Sequence, residues 1–331
     1  MAALGKTSDP RPAKNVSNVR GPALPKLPRR RATPASVVDA MKALAGDSRK
    51  TRARFARGRC VRGTYAPSDR AREITKSQSF TKPSRVLAHF SVGGGNLELA
   101  SIDRLALRAF SFRLGCDEHR SDILTQNAPM HFARTLDQMF ALLKARVPAA
   151  DGKPDVKKVR AFSAANLETL HQANYLAARP LPDSFAGTTY WGVHAFPATN
   201  AKGETRFTKF KVAPVGEEVV LSRNAAKAKS ADFLNHELEE RIAAGDARFS
   251  VMALLDRPDD PVTDVTIRWP DEDRREAVRL GTIVITGVEA EDACDASAFN
   301  PANLAEGIGY PPDEIFAARR VAYAISQATD R

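Results

Sequence analysis

The chain holds only three cysteines, at positions 60, 116 and 294, and no CxxC among them. That is too few, and too widely spaced, for a disulfide-framed scaffold or a zinc ribbon, and it is the usage expected in a reducing compartment. The six histidines (89, 119, 131, 171, 194 and 236) include no HxxxH pair, so the helical zinc signature is missing. No window approaches the roughly 18 consecutive apolar residues of a membrane helix. The N-terminus lacks the apolar stretch of about 7–15 residues that a secretory signal needs, so a cytoplasmic protein without a membrane partner is expected. The one glycine run, Gly93 to Gly95, closes a strand-like stretch without a GKS or GxGxxG helix start, which favours a turn over a phosphate cradle. There is no internal repeat.

What is present is basic. Net charge is +11, yet residues 1–35 carry eight Lys or Arg against the single acid Asp9, leaving only +4 for the other 296 residues. The excess therefore belongs to a Pro- and Ala-rich stretch with no apolar run, read as a mobile basic arm, and the body lacks the charge expected of a nucleic-acid partner. Residues 36–331 form the expected single domain, and 43% hydrophobic content is enough to give a chain of this length a real core.

Periodicity gives the element types. Residues 36–55 begin as a helix and run into a loop. PSRVLAHFSVGGG, LALRAFSFRL, VTDVTIRWP and RLGTIVITGV read as strands, and YWGVHAFPATNAKGETRFTKFKVAP reads as a hairpin around NAKG. LDQMFALLKARV has helical spacing, SADFLNHELEERIAAGD reads as a helix capped by Ser230, and PPDEIFAARRVAYAISQATDR reads as a closing helix with Pro at its start. Strands through the middle with helices between and after them predict an α+β fold built on a barrel-like antiparallel sheet.

Arg319 and Tyr323 lie four residues apart on that last helix and share a face. A guanidinium beside a phenol favours the phenolate, a hard anionic ligand for ferric iron. The pair sits within RRVAYAIS, preceded in order by RPLPDSFAGTTYWGVHAF, SADFLNHELEERIAAGD and FNPANLAEGIGYPPDEIF. In these segments and their spacing the chain resembles the catalase superfamily, and among its members the short catalase-related peroxidases, without the C-terminal extensions of the large catalases. The resemblance runs from about residue 36 to the end. It implies a haem b cofactor ligated by Tyr323, with Arg319 against the phenolate and with Asp313 and His194 holding that arginine. Phe140 falls where the family stacks an aromatic ring on the porphyrin. Arg104, His89 (where the family has arginine) and Arg331 (one residue beyond the family's spacing, which lands on Asp330) fall at the propionate positions.

On the opposite haem face the resemblance is altered. The family's His-Ala-Lys-Gly loop, with a further Gly and an aromatic, corresponds here to Phe55, Ala56, Arg57, Gly58, Gly63 and Tyr65. Phe55 stands at the catalytic histidine and cannot exchange a proton with peroxide. The resemblance puts Asn127 over the iron as a hydrogen-bond donor, and His131 replaces the first Phe of the family's Phe-Phe pair, which suggests a relocated base. It thus implies a peroxidase acting on hydrogen peroxide or an organic hydroperoxide with an external electron donor, with weak or absent catalase turnover, and by analogy a homodimer. The alternatives are a haem enzyme that rearranges or dehydrates an organic substrate, in the manner of allene oxide synthase, and a non-enzymatic haem-binding protein.

Overall fold

The computed structural model describes residues 31–45, 57–93, 102–148, 154–290, 293–294 and 299–329. Nearly all of the basic arm, Phe55 and Arg331 lie outside these residues. Among the described residues the strands are β1 (Arg57–Pro67), β2 (Ser84–Gly93), β3 (Leu107–Leu114), β4 (Ser121–Gln126), β5 (Tyr190–Trp191), β6 (Phe196–Thr199), β7 (Thr205–Pro214), β8 (Ala247–Leu255) and β9 (Ala277–Val288). Their order is β5-β4-β3-β2-β1-β9-β8-β7-β6, and a further β5–β7 pairing closes eight of them into an antiparallel barrel. The helices are α1 (Pro34–Ala45), α2 (Ala71–Ile74), α3 (Gln78–Thr81), α4 (Leu136–Arg146), α5 (Val156–Ala165), α6 (His171–Ala177), α7 (Arg223–Ala228), α8 (Phe233–Ala244) and α9 (Glu314–Thr329). The expected α+β barrel is the fold found.

The period-two pattern builds the barrel interior. Val86, Ala88, Phe90 and Val92 of β2 and Phe110, Phe112 and Leu114 of β3 join Val61, Tyr65 and Phe249 in one buried cluster. Phe90 and Phe110 stack at 4.3 Å, and Phe110 meets Phe249 at 4.9 Å. Each such ring removed from water contributes about 1.5–3 kcal/mol. A second cluster joins α1, α4 and α9 outside the barrel through Val37, Ala40, Met139, Leu143 and Ile315, with Phe140 packed against it.

Four local expectations are corrected. The stretch FARGRCVRGTY is strand from Arg57 onward rather than loop. Its second glycine and its aromatic serve the barrel: β1 shifts register between Arg62 and Gly63, where a side chain would strike the Val284 carbonyl, and Tyr65 points inward with its hydroxyl donating to Leu280 O at 2.8 Å. VTDVTIRWP is a turn, because Asp264 Oδ1 accepts from the Thr266 amide at 2.9 Å and from its hydroxyl at 2.6 Å, a local bond that competes with a ladder. The cap of α8 is Asp232, not Ser230. Cys60 and Cys294, 234 residues apart, form a disulfide with a Cα–Cα distance of 5.7 Å. Barrel closure, not sequence spacing, brings those sulfurs together.

The predicted YWGVHAF strand is interrupted. Trp191 pairs with Lys211 and Phe196 with Thr208, so residues 192–195 face only residues 209–210. This bulge takes His194 out of the ladder.

Candidate functional site

The FNPANLAEGIGY segment lies against the barrel wall through polar contacts. Buried Asp122 on β4 accepts from Arg113 Nε at 2.7 Å, from the Asn300 amide at 3.0 Å and from Asn303 Nδ2 at 2.8 Å. Farther along, the Gly309 amide donates to Pro197 O at 2.7 Å, next to the bulge. The chain thus reaches α9 beside His194.

Asp313 precedes α9 and serves it in two ways. Its Oδ1 accepts from the Phe316 amide at 2.7 Å, an N-cap bond, while its Oδ2 lies 2.9 Å from His194 Nδ1. Arg319 Nη1 donates to His194 Nε2 at 3.0 Å. An arginine can only donate, so Nε2 accepts and the proton sits on Nδ1, donated to Asp313. Burial pushes the His194 pKa below its ordinary value, with Asp313 opposing that shift, which agrees with a neutral ring. Phe316 packs edge-on against the imidazole at 5.1 Å. Six residues beyond Asp313, the Arg319 guanidinium carbon lies 5.8 Å from the ring centre of half-buried Tyr323. Arg319 Nε is buried and has no hydrogen-bond partner among the described residues. A buried cationic N–H of this kind calls for an anionic oxygen beside it. Four predicted residues, Asp313, His194, Arg319 and Tyr323, therefore form one connected group.

The other candidates lie elsewhere. Asn127 and Arg104 line a cavity of about 410 Å³ together with Arg108, Arg179, Trp191 and Lys211, and none of the Tyr323 group lines it. Asn127 Oδ1 accepts from the Arg108 amide at 2.9 Å, and Arg104 Nη2 donates to the carbonyls of Ala177 and Arg179 at 3.0 and 2.6 Å. His131 is fully buried, and its Nδ1 lies 3.0 Å from the Ala133 carbonyl oxygen and 3.2 Å from the Ala133 amide nitrogen. His89 sits on β2 directly opposite Cys60. Phe140 packs beside the α1–α4–α9 cluster. Phe55 and Arg331 lie outside the described residues. No three His, Cys, Asp or Glu side chains among the described residues converge as ligands for a bare metal ion, and no described helix is long and apolar enough to cross a membrane.

Two sets of charged residues escaped the sequence reading. Arg108, 1% exposed, shares the inward register of Phe110 and Phe112, which the alternation of LALRAF could have revealed. Its Nη1 donates to Ala106 O at 2.5 Å, and burial lowers its pKa to about 10. Lys209 on β7 pairs with Glu272 at 2.9 Å, both buried, and Arg268 reaches Glu272 at 2.9 Å and Asp273 at 2.8 Å. No local pattern signals that pairing.

The Catalase family profile matches residues 35–330. A catalase-related peroxidase of Synechococcus elongatus is 28% identical over 299 residues, covering 89% of this chain and 87% of the relative. A catalase-related peroxidase of Mycolicibacterium paratuberculosis is 29% identical over 301 residues, covering 89% and 93%. A catalase of Helicobacter pylori is 27% identical over 81% of this chain but only 56% of its own length. Among solved structures, catalase A from Saccharomyces cerevisiae superposes with a TM-score of 0.76 at 19% identity, covering 97% of this chain and 68% of that one. With a profile match spanning nearly the whole domain and the same barrel beneath it, the chain belongs to the catalase family.

Proposed function

We propose that this protein binds haem b through Tyr323 and reduces hydrogen peroxide or organic hydroperoxides at the expense of an external electron donor, with little catalase turnover. The observation that carries this reading is the bonded series Asp313–His194–Arg319, which ends beside Tyr323 with a buried guanidinium N–H still to be matched. The chain's residues fit the cofactor there. Tyr323 would ligate the metal, Arg319 would hold the phenol oxygen anionic, and Asp313 with neutral His194 would keep Arg319 aimed. Bound in this way, a ferric porphyrin would supply the two-electron reduction of the peroxide O–O bond.

Phe55 offers no proton, so in this reading the proton transfer falls to His131. Its ring is buried and its Nδ1 is engaged by the Ala133 backbone, which fixes its orientation. With the cofactor bound, Asn127 would orient the peroxide, Phe140 would pack on the macrocycle, and Arg104, His89 and Arg331 would balance its carboxylates. A homodimer belongs to the same reading and is measured by light scattering.

The deciding experiment is an absorption spectrum of protein expressed with ample haem, before and after peroxide. A Soret band that is lost in Tyr323→Phe supports the reading, and a colourless protein refutes it. Phe55→His should raise peroxide cleavage by about 100-fold or more, the typical worth of a general acid–base. His131→Phe should lower the reaction with peroxide, and unchanged kinetics would remove His131 from the mechanism. Tight organic-ligand spectral shifts without any response to peroxide would instead favour rearrangement or dehydration of an organic substrate.

A further inference from the structure

The peptide unit between Met130 and His131 is gripped from both sides. Its carbonyl accepts from Gln126 Nε2 at 2.9 Å and from Gln172 Nε2 at 2.7 Å, and its N–H donates to Val265 O at 2.7 Å. We propose that Gln126 and Gln172 are positioning residues for peroxide reduction, which hold Asn127 and His131 in one fixed relation by clamping this peptide. The inference rests on the haem reading above, since it takes Asn127 and His131 as the groups that meet peroxide.

Residues 127–133 run from β4 to α4 as an irregular stretch, yet Ala128, Met130, His131 and Ala133 are all buried. Carbonyls buried in this way must find donors within the protein. A carbonyl oxygen has room for two, and Met130 O takes both from side-chain amides. Gln126 Nε2 also reaches Ala128 O at 3.2 Å, so one amide ties down two carbonyls of the stretch. Gln172 approaches from α6. It shares a helix face with Leu176, which packs against Ala128 and Met130. The start of α6 is itself tied to the turn beside Val265, because His171 Nδ1 lies 2.9 Å from Thr266 O. The bonds close a circuit: Met130 to Gln172, His171 to Thr266, and Val265 back to His131.

The clamped peptide lies between the two groups it serves. Asn127 is fixed on the β4 side, where its Oδ1 accepts from the Arg108 amide at 2.9 Å. The His131 ring is fixed on the α4 side by the Ala133 backbone. The spacing of Asn127 from His131 therefore depends on the path of the chain through Met130. A misplacement of about 1 Å in such a group can cost about 100-fold in rate. Packing alone would be served by any apolar side chain of glutamine's length, whereas clamping needs the amide N–H. Each glutamine is 7% exposed, so water is poorly placed to supply a substitute donor.

The test uses full-length, haem-loaded protein. Gln172→Met keeps the length of the side chain and removes its donors. It should lower the second-order rate constant with hydrogen peroxide by at least about tenfold and leave the Soret band in place. Gln172→Glu supplies the readout that packing would not move. A protonated carboxyl donates to Met130 O and an ionised one cannot, so its rate constant should climb as pH falls through the pKa of the new glutamate, which burial lifts above about 4.3. Gln172→Met should show no such rise. Hydrogen exchange of residues 126–133, followed by mass spectrometry, needs no haem and should be faster in Gln172→Met by at least about tenfold, the effect of about 1.4 kcal/mol lost from the clamp. Gln126→Leu, measured in parallel, should behave as Gln172→Met does, and keeps the test open if that variant does not fold. Unchanged exchange overturns the clamp. Faster exchange with an unchanged rate constant, or matching pH profiles for Gln172→Glu and Gln172→Met, overturns the positioning role. A colourless parent overturns the haem reading and this proposal together, whereas a normal Soret band with unaltered peroxide kinetics in the variants overturns this proposal alone. Circular dichroism confirms that each variant is folded.

Discussion

Asp313 meets two demands with its two oxygens, one capping α9 and the other orienting His194. Asp313→Ala should cost about 1 kcal/mol for the cap alone, more with the His194 bond, whereas Asp313→Asn keeps an acceptor and should retain most of the stability. Urea denaturation of the two variants checks the difference. His194 also makes stability depend on pH. Burial lowers its folded pKa below the ordinary value of 6.5. As pH falls through about 6.5, the unfolded chain takes up a proton that the folded ring refuses, so stability declines toward acid by at most about 1.4 kcal/mol per pH unit. Above that value both states are neutral at this site and its contribution is flat. Denaturation midpoints at pH 8, 7, 6 and 5 should show this slope in the parent and a shallower one in His194→Gln.

At the scale of elements, buried charge ties the turn after β8 to the barrel. Lys209 sits 5.3 Å from the Trp269 ring centre while bonding Glu272, and Arg275 closes on Asp260. Burial lowers the Lys209 pKa, with Glu272 opposing that shift. Removing one partner leaves an uncompensated charge, so Glu272→Leu or Lys209→Met should each destabilise by about 3–5 kcal/mol. The Lys209→Met/Glu272→Leu pair should recover much of that loss, and a double-mutant cycle in guanidinium measures the recovery. If the double variant is as unstable as the sum of the singles, the ion pair is not what holds this turn.

For the whole molecule, the disulfide closes a loop of 234 residues around the barrel. Constraining so long a stretch of the unfolded chain is worth at most about 5 kcal/mol on a loop-entropy account. Chemical denaturation with and without reductant, with Cys60→Ser as the reduced reference, should show the oxidised protein to be the more stable. The basic arm should contribute nothing comparable. The described chain is already anchored at its start, where the Ala32 amide donates to Asp137 Oδ1 at 2.6 Å and α1 follows from Pro34. Deleting residues 1–30 should leave the melting temperature within about 2 °C, a change worth under 1 kcal/mol for a chain of this size.

Local periodicity was enough to make β2, β3, β7, β9, α4 and α9 legible from the sequence, because each presents an apolar face at its own repeat. It also placed Arg319 and Tyr323 on one helix face, since four residues make about one turn. The rest depended on partners remote in sequence. His194 acquires its role only when a bulge and a tail segment bring it to Asp313, 119 residues away. Gly63 and Tyr65 look like parts of a loop until β9 is beside them. Cys60 and Cys294, and Lys209 and Glu272, carry no spacing that announces them, because barrel closure fixes which distant strands become neighbours. Short-range pattern sets the elements and the Arg319–Tyr323 pair, because both depend on residues within a turn or a strand of one another. Which charges, sulfurs and rings those elements bring together follows from barrel closure, which joins residues more than a hundred positions apart.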